Sequence, residues 1–389
     1  MTSRRFLIVM AFPVLAGGMP AHAFQIAPMS SKWEEKLTRE PTSSRARIAG
    51  ALGRLIKNPV HEEITQLAMG CTTPDADLPS NAECASADAG FATQFINYGV
   101  RWNDLPPFML RPNEGKRCPK TFGTGSACNV SQTIRFSTQP ECWYCMFKAA
   151  EKTASTGRKI VGCIPQVREK GSRIVTANLL ARSHYGDLQF LHAMAQEDNL
   201  DATRTRADIL GWLEFAWKVA TKEIASGTLL RNVDIPVMKD RFHCSGWSVA
   251  DLYVLGRQDT MLAFLHDIAF GSVLHTVQDS FAEGHVDREP AVPGEFCSPA
   301  LMLPRPGPIR EFHGYAGQDG HLHDARDVRE AMTGAIGGRV SGALQSNRQL
   351  ARYYGDRVKW AEVEPYMQCV FALSEKPRAS SAGDAYRRR

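Results

Sequence analysis

The sequence is poor in the alternating apolar and polar runs that mark strands, which points away from a sheet-built fold and leaves a mainly helical one. It has no internal repeat and no heptad pattern, so neither a solenoid nor a coiled coil is expected. Past the first two dozen residues, no segment is apolar enough for a membrane span. Charge of one sign is also scarce. The formal net charge is +5, or +3 once Arg4 and Arg5 are set aside, and so small an excess argues neither for nor against an anionic partner.

What is present begins with a basic start, an apolar run from Phe6 to Gly18 and Ala-His-Ala at 21–23, the layout of a secretory signal. Residues 1–23 are read as a signal peptide with the mature chain starting at Phe24; an uncleaved anchor is the alternative. Export to the periplasm or the medium follows. The ten cysteines all lie beyond it, and an even count in an exported chain points to disulfides whose pairing the sequence leaves open. Cys142-Trp-Tyr-Cys145 also has redox spacing, although its neighbours read as a cysteine-rich loop.

Helical spacing recurs near 47–56, from His61, from Ala207, from Asp259 and from Asp324. Residues 71–175 carry seven cysteines among many Gly, Pro, Ser and Thr, and read as a disulfide-pinned insertion, irregular over about 105–175, within one domain spanning 24–375. The basic stretch 376–389 reads as a disordered tail. Residues 288–310 hold six prolines and two glycines, which excludes regular helix and suggests a rim over the neighbouring polar clusters.

The helix from Asp259 is apolar nearly all round, through Met261, Leu262, Phe264, Leu265, Ile268, Phe270, Val273, Leu274 and Val277, as a helix in the middle of a bundle is. His275 and Asp279 stand one turn apart on it and therefore project into the interior, where ionisable groups are costly unless paired or bound to metal. Gly284 allows a turn that brings His285 back toward them. Taken alone, such a pair is more often a hydrogen-bonded core feature. A second cluster, with His323 and Asp327 at the same spacing, favours shared metal ligation; His321 lies off that face.

The stretch HTVQDSFAEGH, His275 to His285, resembles the HxxxDxxxxxH signature of the zinc-dependent phospholipase C family, whose fold is shared by single-strand nucleases with three zinc ions. Many members have proline two residues before the last histidine, where this chain has Glu283. The resemblance covers scattered motifs over about 58–330 and implies a multi-helix bundle with a metal cluster at its centre. It also implies further ligands. His61 fits an early helical histidine, Asp104 in RWNDLPP a loop aspartate, and His184 a histidine before the middle helices, with His192 as second choice. Phe24 fits the ligating mature amino terminus. One zinc would then be held by Asp104, His184, His275 and Asp279, a second by His285, His323 and Asp327, and a third by His61, Phe24 and a shared Asp279, with Asp104 also accepting a proton from the attacking water.

On its own, His61 fits the first turn of a helix, Asp104 a turn before Pro106, and His184 a surface loop; His266 and His243 read as structural. The function implied is zinc-dependent hydrolysis of phospholipid head groups at a membrane surface. A nuclease or other phosphodiesterase is the nearest alternative, with Trp102, Trp143 and Tyr144 as base-stacking platforms or as core. A non-catalytic, disulfide-stabilised binding protein is the second.

Overall fold

The computed structural model describes residues 60–71, 87–111, 114–118, 128, 133–136, 139–163, 174–319, 322–323 and 339–388. Phe24 and Asp327, the signal-like stretch, and the helices expected near 47–56 and from Asp324 lie outside them. The described helices are α1 (Val60–Ala68), α2 (Ala87–Trp102), α3 (Pro140–Ala154), α4 (Leu179–Tyr185), α5 (Ala202–Ala220), α6 (Pro236–Phe242), α7 (Val249–Val254), α8 (Gln258–Met261), α9 (Leu265–Asp279), α10 (Arg339–Gly355) and α11 (Trp360–Val370). Four two-stranded sheets join them: β1 (Phe108–Met109) with β2 (Thr133–Ile134), β3 (Lys159–Val161) with β4 (Ile174–Thr176), β5 (Val286–Arg288) with β8 (Ile309–Phe312), and β6 (Phe296–Ser298) with β7 (Leu303–Pro304). The chain is broadly helical, with these short sheets as ties rather than a layer.

Helix α9 is the centre. Every residue from Ile268 to Asp279 is buried, because no face of this stretch is polar enough to seek water. The run expected to be helical from Asp259 is broken by a 3-10 turn at Leu262–Phe264, and Leu262 is exposed rather than core. Two glycines let α2 touch α9 backbone to backbone: a Cβ on Gly99 would meet the Ile268 carbonyl oxygen at 2.1 Å, and one on Gly271 the Ile96 carbonyl oxygen at 2.1 Å. That approach carries the end of α2, with Asn103 and Asp104, alongside the last turns of α9.

Four disulfides are described: Cys118–Cys145, Cys128–Cys142, Cys163–Cys244 and Cys297–Cys369. Cys142 and Cys145 bond to different partners, so Cys-Trp-Tyr-Cys is not a redox pair. Nor is the insertion wholly irregular: these cysteines sit on α3, whose Trp143 and Phe147 are buried in the core. No helix among the described residues is long and apolar enough to cross a membrane.

After α9 the chain turns, with His285 N donating to the Ala282 carbonyl at 3.0 Å, and enters β5. The proline-rich segment forms the β6–β7 hairpin, which Cys297–Cys369 staples to α11, and β8 returns antiparallel to β5. Arg288, buried at this junction, donates to Ser280 O (2.7 Å), Gly307 O (2.9 Å) and Val370 O (3.0 Å), satisfying three carbonyls that irregular backbone would leave bare. The tail expected to be disordered is packed up to Arg388, with Ser380, Ala382 and Tyr386 buried. It is held by backbone hydrogen bonds and by side-chain contacts of Arg378, Ser380 and Ser381, specific partners that a polar composition does not reveal.

Candidate metal centre

Seven of the sequence candidates or their alternatives meet at the end of α9: His61, Asp104, His192, His275, Asp279, His285 and His323, all buried. Asp279 is the hub. Its Oδ2 lies 2.9 Å from His275 Nε2, 3.0 Å from His192 Nδ1 and 3.6 Å from His285 Nδ1, while Oδ1 lies 3.4 Å from His61 Nε2. Asp104 closes the group from just past the end of α2, its Oδ1 3.7 Å from His192 Nδ1 and its Oδ2 4.0 Å from His275 Nε2. The His61 and His275 rings stack with centroids 4.2 Å apart.

His192, the second choice of the ligand order, is the histidine that lies against Asp104 and Asp279. It ends the 3-10 turn Gln189–His192, which Ala193 closes in the left-handed region at φ 51°. The turn is tied to α9 and α2 by hydrogen bonds: Thr276 Oγ1 donates to the Leu191 carbonyl at 2.8 Å, Asn103 Nδ2 to the same carbonyl at 2.7 Å, and Ser272 Oγ to Asn103 Oδ1 at 2.6 Å. His184, on α4, lies next to this group, its ring 5.1 Å from that of His192, and packs edge-on against Phe147 at 5.1 Å. Its Nδ1 contacts the Leu180 carbonyl at 3.0 Å. His266 and His243 bond to the Val219 and Asp240 carbonyls, as structural histidines do.

Hydrogen bonds fix which nitrogen of several rings carries the proton. His285 Nδ1 lies 2.6 Å from the His192 carbonyl, which only accepts, so Nδ1 is the donor and Nε2 presents a lone pair. Gln318 Nε2 donates to the Gly284 carbonyl at 2.6 Å and the Ala382 carbonyl at 3.0 Å, so its Oε1 is the atom 2.7 Å from His323 Nδ1. His323 is therefore also the Nδ1–H tautomer. The two Nε2 atoms stand 3.2 Å apart, lone pair toward lone pair. A proton between them needs an imidazolium. Burial, with His323 next in effect, holds the His285 ring well below its ordinary value and opposes that.

The same logic applies to His61. Thr65 Oγ1 donates to the His61 carbonyl at 2.8 Å and accepts from Gln278 Nε2 at 2.9 Å, so Gln278 presents Oε1 to His61 Nδ1 at 2.5 Å. His61 Nε2 then turns a lone pair to the Asp279 carboxylate. Burial lowers the His61 pKa, with His275 adding to the effect, and pushes the Asp279 carboxyl up to about 6.

Lone pairs facing lone pairs and a carboxylate in a dry interior repel unless a cation lies among them. The donor set fits one. Ligands about 2.0–2.1 Å from a tetrahedral zinc stand roughly 3.3–3.4 Å from each other, close to the 3.2 Å between His285 and His323. Two triads have ligand atoms within 4.8 Å of each other, His61, His275 and Asp279, and Asp104, His192 and His275. Among the described residues, buried His192 Nε2 and Asp279 Oδ1 have no hydrogen-bond partner.

The turn expected at Gly284 is present and returns His285 to the group, but it does not need glycine's conformational freedom. The Gly284 φ is not positive, but a Cβ there would meet the His323 ring at 2.7 Å, so the missing side chain is space for that imidazole. Sequence reasoning did not single out Gln278 or Gln318, the amides that orient His61 and His323; the only signal was Gln278 directly before Asp279. Compared with protein-family models, curated proteins and solved structures, the chain shows no match.

Proposed function

We propose that the chain is a zinc-dependent phosphodiester hydrolase, of the phospholipase C type that the HxxxDxxxxxH stretch resembles. The observation that carries this reading is the pair of Nδ1–H imidazoles, His285 and His323, whose Nε2 lone pairs converge at 3.2 Å in a buried site. Asp104, His192, His275 and Asp279 would hold one ion, His285 and His323 a second, and His61 with Asp279 a third. Held there, zinc would supply a water of pKa near 7 and positive charge for the phosphoryl oxygens. The chain's own part is to keep these donors deprotonated and aimed. Burial holds His61 and His285 neutral, and Gln278, Gln318 and the His192 carbonyl fix their rings. Asp104, just past the end of α2, would also accept a proton from attacking water.

A lipid substrate is favoured over a nucleic acid by two observations. Trp102 and Trp143 are core residues, each 1 % exposed, and so offer no stacking platform for bases. Val292, Leu301 and Met302, half of the exposed large apolar side chains described, lie in the proline-rich segment and suit an interface with lipid.

The test is metal analysis of the purified protein together with hydrolysis of phosphatidylcholine, phosphatidylethanolamine, sphingomyelin and single-stranded DNA, each with and without chelator. Chelator-sensitive release of phosphorylated head groups is the expected result. A metal-loaded protein inert on all four would instead be a binding module. Asp104→Asn should lower turnover by more than it lowers zinc content; equal losses would make Asp104 a ligand only.

A further inference from the structure

The segment that ends the described chain runs back over the His323 side of the centre. Ser380 is fixed first, donating through its backbone to the Leu200 carbonyl at 2.9 Å and through Oγ to the Glu197 carbonyl at 2.7 Å. Gly314 N then donates to the Ser381 carbonyl at 2.8 Å, Asp319 N to the Tyr386 carbonyl at 2.7 Å, and Arg388 N to the Gly317 carbonyl at 3.0 Å. These bonds clamp the segment along residues 314–319, the stretch that carries Gln318. The Tyr386 ring, buried, lies 6.3 Å from that of His323.

One bond links this segment to the candidate ligands. The Gln318 amide nitrogen is shared between the Gly284 and Ala382 carbonyls, and it is this sharing that turns its oxygen toward His323 Nδ1. Without the Ala382 carbonyl, one of the two acceptors that hold the amide is gone, and the 314–319 backbone loses three donors or acceptors in the tail.

We propose that the C-terminal segment Ser380–Arg388 is a working part of the metal centre: a strap that holds Gln318, and through it His323, so that cation affinity at the His285–His323 pair depends on the strap being seated. The proposal rests on the reading of these two imidazoles as cation ligands. Gln318 is a positioning residue, acting through His323 in the way outer partners orient ligating histidines elsewhere. Displacement of the strap would lower occupancy of this one site and leave the sites fed by α1, α2 and α9 as they are.

The experiment is titration of the chelated protein with zinc alone, in competition with a chromophoric chelator, for three chains: the full chain, a chain ending at Ala379, and the full chain with Gln318→Leu. Both variants are expected to bind one zinc equivalent about 10–100-fold more weakly while the others are unchanged, the size of effect outer-sphere partners produce. Affinities in the Gln318→Leu chain equal to those of the full chain overturn the proposal even if the shortened chain fails to fold, as would a uniform weakening of every equivalent. If Gln318→Leu weakens one equivalent but a folded shortened chain does not, the amide positions His323 without the strap, and the proposal again fails. A full chain that binds no zinc at all overturns the cation reading and this proposal together.

Discussion

The two sides of the candidate centre are built differently. His61, Asp104, His192, His275 and Asp279 come from helices and a turn packed through the core, and the groups that orient them are themselves in α1, α2 and α9. His285 leans on the core-built side through the His192 carbonyl, whereas His323 is held by Gln318, which carbonyls of irregular backbone and the last described residues fix in turn. The first side cannot shift without disturbing close-packed helices, whose interiors resist small displacements. The second is fastened by individual hydrogen bonds, each worth roughly 0.5–1.5 kcal/mol net. One side is set by folding of the core; the other can be loosened while the core stays folded.

Asp279 spans both sides, and removing its charge should have the largest effect. Asp279→Asn is expected to lower phosphodiester hydrolysis by more than about 100-fold, beyond what the loss of an outer partner costs, with zinc content reduced in parallel. Stability of the chelated protein should move the other way. Burial raises this carboxyl to about 6, so ionising it costs folding free energy. The cost is absent below about pH 4, where the group is neutral in folded and unfolded chains alike, and complete above about pH 6. The stability difference between Asp279→Asn and the parent should therefore open between these values, to on the order of 1–3 kcal/mol in the substituted chain's favour. Denaturant titrations across that range check it; a difference that does not change with pH would show that Asp279 is not a buried, unneutralised carboxylate in the chelated state.

Within the core-built side, His192 and His184 offer a sharper contrast. His192→Ala should remove an imidazole lying 3.0 Å from Asp279 Oδ2 and with it at least one zinc equivalent. His184→Ala should act mainly through lost packing against Phe147, costing about 1–3 kcal/mol of stability with smaller loss of zinc. Metal content and melting of the two variants, measured together, decide the assignment; the opposite pattern would return His184 to the ligand set.

The pair His184 and His192 also shows what the sequence could carry. His275 and Asp279 were legible because a four-residue spacing on an all-apolar helix permits one geometry, with both groups in the interior. His61 and Asp104 were legible as positions, His61 beside the head of a helix and Asp104 just past the end of one. The choice between His184 and His192 was not. It depends on a left-handed residue at Ala193 and on Thr276 reaching the Leu191 carbonyl, and neither leaves a periodic mark. The order in the last described residues was hidden for a related reason: residues 376–388 are held by backbone groups and by specific side-chain contacts from Arg378, Ser380 and Ser381, and composition reports neither. The mainly helical fold was read from scarce alternation, whereas α3 was masked by the Gly, Pro and Cys around it.

The smallest expected effect tests the loosely fastened side alone. Gly284→Ala adds one methyl group where the His323 ring lies 2.7 Å away, closer than carbon atoms tolerate, and the Gly284 carbonyl also helps to hold Gln318. The core needs no adjustment, because the added atom faces the imidazole rather than α9. The ring must move away from the added methyl group, which parts its Nε2 from the position opposite His285. About tenfold weaker binding of one zinc equivalent is expected, roughly 1.4 kcal/mol, with the remaining equivalents and the melting temperature of the chelated protein little changed. Zinc titration and thermal melting of the same sample separate the outcomes. If all equivalents weaken together, the two sides are one cooperative unit, and the division between a core-built and a fastened half does not hold.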